Sequence, residues 1–153
     1  MKKLFNSFVA LVCMLMLSIV SVSCEKEGSG KPDASDIIGK WKSVSLQESF
    51  YVDGKLEHQE EEISDEWYIV YEFCKDKTGS ETEYFSDGST IVYSFEWILT
   101  EGKLRFIFDS YDANEVRTIE SCTKSKLVLS MREEDVYEGV RYKEIQTLTL
   151  KKI

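Results

Sequence analysis

The chain holds one histidine, His58, set in the acidic run EHQEEEISDE at 57–66 with no serine or cysteine pattern beside it. A catalytic nucleophile needs a base within hydrogen-bond reach, and a zinc centre needs several soft ligands. Neither is expected from a lone, exposed imidazole. Asp109, Asp112, Asn114 and Glu115 supply oxygen atoms but lack the spacing and central glycine of an EF-hand, so they read as a turn and no metal is expected. Glu144, between Tyr142 and Gln146, is the one carboxylate expected on a buried face; glycoside hydrolysis needs a second. The chain has no phosphate-binding loop, no Gly-x-Ser-x-Gly and no Cys-x-x-Cys. The expectation is a protein that is not an enzyme and needs no cofactor. A formal charge of −9, with no clustered basic face, argues against nucleic acid as a partner.

The four cysteines divide into two groups. Cys13 and Cys24 belong to the N-terminal segment, where the basic start Met1-Lys2-Lys3 precedes the apolar run FVALVCMLMLSIV from Phe8 to Val20. That pattern describes a secretory signal over residues 1–23, since Ser21, Ser23 and Glu25 end the run before it could span a bilayer. Ser23-Cys24 resembles the lipobox of bacterial lipoproteins, with Ser21 standing where leucine is usual. The resemblance implies acylation of Cys24 by palmitate-type chains and an outer membrane lipoprotein, on the periplasmic face or the cell surface. The plain alternative is a soluble secretory protein with a spare thiol at Cys24. Residues 24–35, rich in charge, Gly and Ser, read as a flexible tether. Cys74 and Cys122 either form a disulfide or sit as two half-buried thiols.

From residue 36 onward the alternation has period two, with turn signals every eight to twelve residues. Strands are expected at Trp41–Ser49, Trp67–Cys74, Ser80–Phe85, Thr90–Thr100, Lys103–Asp109, Glu115–Cys122, Lys126–Met131 and Val140–Lys151, with helix limited to one turn within Asp33–Ile38. Eight strands joined in sequence suggest an all-β, up-and-down antiparallel barrel over 36–153, because closure removes the exposed edges of an open meander. A sandwich would want a long Greek-key crossover, and the one long connection is 50–66.

Gly39-Lys40-Trp41, opening the first strand after a short turn, resembles the Gly-x-Trp signature of lipocalins. The aromatic strand before Asp87-Gly88, then SKLVLSM and the final TLTLKKI, extend the likeness to the small lipocalin-like (calycin-type) domains of Gram-negative lipoproteins. Lipocalins cover that tryptophan with an arginine from the last strand; here Lys151 and Lys152 are available. The resemblance implies Gly39 and Trp41 at a closed base and a lid over 50–66; the residues themselves read there as a solvated charged hairpin turning at Asp53-Gly54. With Trp41 at the base, alternation places Ser45, Gln47, Trp67, Tyr84, Tyr93, Phe108, Met131, Tyr142 and Glu144 at the mouth. Aromatic walls with a few polar groups suit a small, partly apolar molecule. They equally suit the wet end of a packed core, which would leave an interaction or structural envelope protein contacting a protein or glycan.

Overall fold

In the computed structural model, which describes residues 32–109 and 114–153, Asp33 caps a single helical turn, α1 (Ala34–Ile37). The Asp33 carboxylate accepts from the Ser35 and Asp36 amides, and Asp36 returns the favour to the Asp33 amide, so the first-turn donors are met reciprocally. Among the described residues nine strands follow: β1 (Gly39–Val52), β2 (Lys55–Glu61), β3 (Trp67–Phe73), β4 (Thr78–Phe85), β5 (Thr90–Thr100), β6 (Lys103–Phe108), β7 (Asn114–Cys122), β8 (Lys126–Tyr137) and β9 (Val140–Lys152). Each barrel strand pairs antiparallel with its neighbour, and β9 returns to β1. Eight strands therefore close into the expected barrel. The ninth, β2, pairs with β1 alone.

Trp41 defines the base. It is fully buried, and its indole N–H donates to the Ile37 carbonyl at 2.7 Å, which ties α1 across the barrel end. Lys152 Nζ lies 4.8 Å from the indole ring centre, taking the covering position with an ammonium. Gly39, at φ +127°, makes room for it: a Cβ there would sit 2.9 Å from Lys152 Cε. Trp97, Phe73, Leu104, Leu127 and Leu150 fill the same level with almost no exposure.

Two phases of alternation differ from the sequence reading. Register shifts between Ser43 and Ser45 on β1. Ser43 faces inward and its Oγ accepts from the Ile69 amide at 2.8 Å, bridging the point where β1 parts from β3. The inserted residue, Val44, is exposed, so Leu46 and Glu48 turn inward, while Ser45 and Gln47 join Thr149 and Thr147 on the outer face. Gln47 is therefore not at the mouth.

On β4, Gly79, Glu81, Glu83 and Phe85 oppose Phe73, Tyr71, Ile69 and Trp67 on the inner face. Tyr84, expected inside, stacks outside on Tyr68 with ring centres 4.8 Å apart. Gly79 explains that phase. A Cβ there would meet Phe95 Cε2 at 2.4 Å and the Glu72 carbonyl at 2.5 Å, so only glycine leaves the Phe95 ring its place. Gly79→Ala is expected to cost about 2 kcal/mol in urea unfolding, the usual scale for overpacking a core. Parental stability in that variant would mean that β4 presents its other face.

The segment 50–66 is largely ladder, the solvated charged hairpin rather than the lid. Asp53-Gly54 makes a tight turn with both φ positive, and β2 folds back along β1. β8 also runs past the rim to the Glu138-Gly139 turn, longer than the sequence reading set it, and meets β9 there. Beyond the rim, β2, β1, β9 and β8 thus form a four-stranded tongue. Cys74 and Cys122 are both free thiols. Cys122 packs against the core, whereas Cys74 follows the inward-facing Phe73 and so points the other way; the disulfide is not formed.

Candidate functional site

The lower barrel is a packed floor. Phe73, Phe95 and Phe106 interlock with ring centres 5.1–5.9 Å apart, and Leu129, Leu148 and Leu150 close the remaining side. Polar side chains enter the barrel interior beside this floor. There the alternating strands bring in charge.

β7 pairs with β6 so that Arg117 opposes Leu104 and Glu115 opposes Phe106. Both partners are core residues, so register alone sends Arg117 and Glu115 into the lumen. Arg117 is only 7% exposed; its Nε donates to the Glu115 carboxylate, and its Nη1 is buried with no hydrogen-bond partner. From the far wall come Tyr71 on β3 and Glu81 on β4, opposite each other in register and joined by a side-chain hydrogen bond. Burial pushes the Glu81 carboxyl up to about 7; the Tyr71 hydrogen bond and Arg117 pull the other way, and Glu115 and Glu83 add to the rise. Burial also holds the Tyr71 hydroxyl well above its usual range. Desolvation dominates both.

Nearer the rim, Trp67 donates its indole N–H to Glu83 at 3.3 Å and packs half-buried on the core with Tyr93. Phe108 is almost buried and meets Phe95 edge-on at 5.7 Å. Of the residues expected at the mouth, Trp67, Tyr93 and Phe108 therefore share the inner face above the floor. Tyr142 and Glu144 share the inward phase of Leu148 and Leu150, but stand higher, on the tongue, where Tyr142 stacks on Phe50 at 6.1 Å. Gln47 and Tyr84 face outward.

The tongue's inward phase is acidic. Glu48 accepts from Gln146, and its carboxylate oxygens lie within 4.8 Å of those of Glu60 and Glu62. Burial raises the Glu48 carboxyl, with Glu62, Glu144 and Glu60 adding to the rise. His58 lies on β2, 3.3 Å from Glu60, both well exposed.

Sequence reasoning missed Tyr71 as a polar contributor and Glu81 and Arg117 altogether, and read Glu115 as a turn residue rather than one facing the lumen. One signal was available: Ile119 opposes Leu129, and counting back by two from Ile119 reaches Arg117 and Glu115. Cys24, the signal segment 1–23, most of the tether and Asp112 lie outside the described residues. Among the described residues no helix is long and apolar enough to cross a membrane.

Residues 37–129 match the family model of the lipocalin-like domain. Among solved structures, a lipocalin-like protein from Bacteroides uniformis is 20% identical, with a TM-score of 0.51 over 77% of this chain and 99% of that one. An uncharacterized protein from Bacteroides eggerthii is 17% identical, with a TM-score of 0.48 over 76% of this chain and 98% of its own. Insecticyanin from the tobacco hornworm Manduca sexta is 12% identical, with a TM-score of 0.46 over 78% of this chain and 64% of its own. No curated protein sequence matches this chain.

Proposed function

The chain belongs to the lipocalin-like domain family, and from that premise we propose that it binds a small, partly apolar molecule at the open end of its barrel without catalysing a reaction on it. The observation that carries this reading is the unpartnered Nη1 of Arg117, buried in a barrel whose inner face also carries Trp67, Tyr93 and Phe108. Protein interiors pair their buried polar groups, and an apolar cleft holding a few convergent polar atoms is the usual composition of a ligand site. Binding rather than catalysis is supported by the position of His58, the one imidazole of the chain, exposed on the edge strand. The N-terminal pattern supports export and lipidation at Cys24, which would tether the barrel to the outer membrane, on its periplasmic or outer face.

Tryptophan emission tests the reading with a panel of fatty acids, their neutral amides, haem-like molecules and sugars. At least one compound is expected to shift the emission of the parent, and Trp67→Ala or Tyr93→Ala is expected to weaken its binding tenfold or more, with little loss of stability. Should both variants cost ~3–5 kcal/mol of folding free energy, as aromatic core truncations do, these residues are packing and the reading fails. A second reading, a solid barrel that contacts a protein or glycan, draws on Val136 and Tyr137, 63% and 64% exposed at the tip of the tongue. Silence across the whole panel would favour it.

A further inference from the structure

Arg117 is the one basic side chain buried in the described core, and its neighbours do not use all of its donors. Nε is taken by Glu115, while Nη1 is buried and free of any partner. A guanidinium is a rigid fork that cannot shed its charge, so an idle donor on it persists at a cost unless something else fills the position. Glu115 beside it keeps 29% of its side chain exposed, while Leu104 and Phe106, which the pair opposes on β6, are sealed.

The charge around this donor decides which partner suits it. Glu115 already balances Arg117. Glu81 interacts with it from the opposite wall, and Glu83 stands next along β4. Above them, Glu48, Glu60 and Glu62 crowd the tongue. A carboxylate approaching Nη1 would pass this acidic collar and then sit beside carboxylates it cannot pair with. In a water-poor site such like-charge contacts are costly. An uncharged acceptor meets the same donor without that repulsion.

We infer that Arg117 Nη1 receives the carbonyl oxygen of an uncharged ligand whose apolar part lies against Trp67, Tyr93 and Phe108. This inference rests on the barrel-mouth reading above and narrows it to neutral, carbonyl-bearing molecules. Tyr71 and Glu81 face the same space from the opposite wall and hold the polar end of the lumen in place through their own hydrogen bond.

The test uses octanamide and octanoate, which share a chain and differ in charge, titrated into the purified protein at pH 8 with tryptophan emission and calorimetry as readouts. Octanamide is expected to bind at least tenfold more tightly than octanoate. Arg117→Lys keeps a buried cation but has no second guanidinium nitrogen, and is expected to weaken octanamide at least tenfold. Arg117→Met paired with Glu115→Gln removes both charges together, so a folded protein without the donor is available if the lysine variant does not fold; it too should lose octanamide. Tighter binding of octanoate overturns the inference, as does unchanged octanamide affinity in a folded Arg117 variant. If other members of the panel bind and octanamide does not, the inference falls while the barrel-mouth reading stands. If nothing binds, both fall.

Discussion

Trp41→Ala lowers the stability of the barrel by about 3–5 kcal/mol, the cost of truncating a fully buried indole. Three features concentrate the effect at this position. The ring is wholly removed from water, its N–H satisfies the Ile37 carbonyl, and Lys152 lies across its face. Removing the ring therefore opens a cavity at the base, frees α1 from the barrel and leaves Lys152 without the surface it covers. A domain of this size has about 5–15 kcal/mol of stability in total, so the variant should unfold at a far lower urea concentration. Trp41→Phe keeps most of the apolar area but loses the hydrogen bond, and should cost roughly 1–2 kcal/mol less than the alanine variant. Equilibrium urea unfolding of the two variants checks both values. A loss below about 1 kcal/mol for Trp41→Ala would mean that the base is closed by something other than this tryptophan.

The parent protein becomes less stable as pH rises from about 5 to 8, and Glu81→Gln removes most of that slope. Folding raises the Glu81 carboxyl from 4.5 to about 7. Between those values the folded barrel keeps a proton that the unfolded chain releases, so stability is fully present below 4.5 and is lost as pH climbs through about 7. The gap corresponds to on the order of 3 kcal/mol at the alkaline end. Glutamine has the shape of the protonated acid and carries no charge, so it should hold its stability across the window. Urea unfolding at pH 5, 6, 7 and 8 on parent and variant reads the difference directly. A parent whose stability rises with pH, or a variant with the same slope, would show that Glu81 is ionised in the folded barrel throughout.

The barrel was legible in the sequence because its aromatic strands alternate without ambiguity. Trp67, Ile69, Tyr71 and Phe73 leave no doubt which face is inside, and Asp53-Gly54 and Glu101-Gly102 carry the positive φ values that tight hairpins require. The single helical turn under Asp33 was equally plain. Of Lys151 and Lys152, both read as available to cover Trp41, Lys152 takes that place.

What escaped the sequence were features set by pairing rather than by pattern. A bulge at Val44 leaves no mark in a run as mixed as SVSLQES, yet it reverses every side chain above it and moves Gln47 outside. On β4 both faces are polar or small, so hydrophobicity could not choose between Tyr84 and Glu83 as the inward residue; Gly79, pressed against Phe95, chose. Arg117 was hidden for a related reason. A basic residue flanked by Val116 and Thr118 looks like the solvent side of a strand, and only its pairing with Leu104 turns it inward. The same blindness to register ended β8 early, because the acidic Glu133-Glu134-Asp135 resembles a loop until it is seen paired along β9.

Native mass spectrometry of the purified protein, as isolated and again after incubation with octanamide, tests ligand binding most directly. The expected result is a folded species heavier than the polypeptide by one small molecule, released on denaturation and diminished in Arg117→Lys. A folded protein that shows only the bare polypeptide mass in both samples would contradict the account.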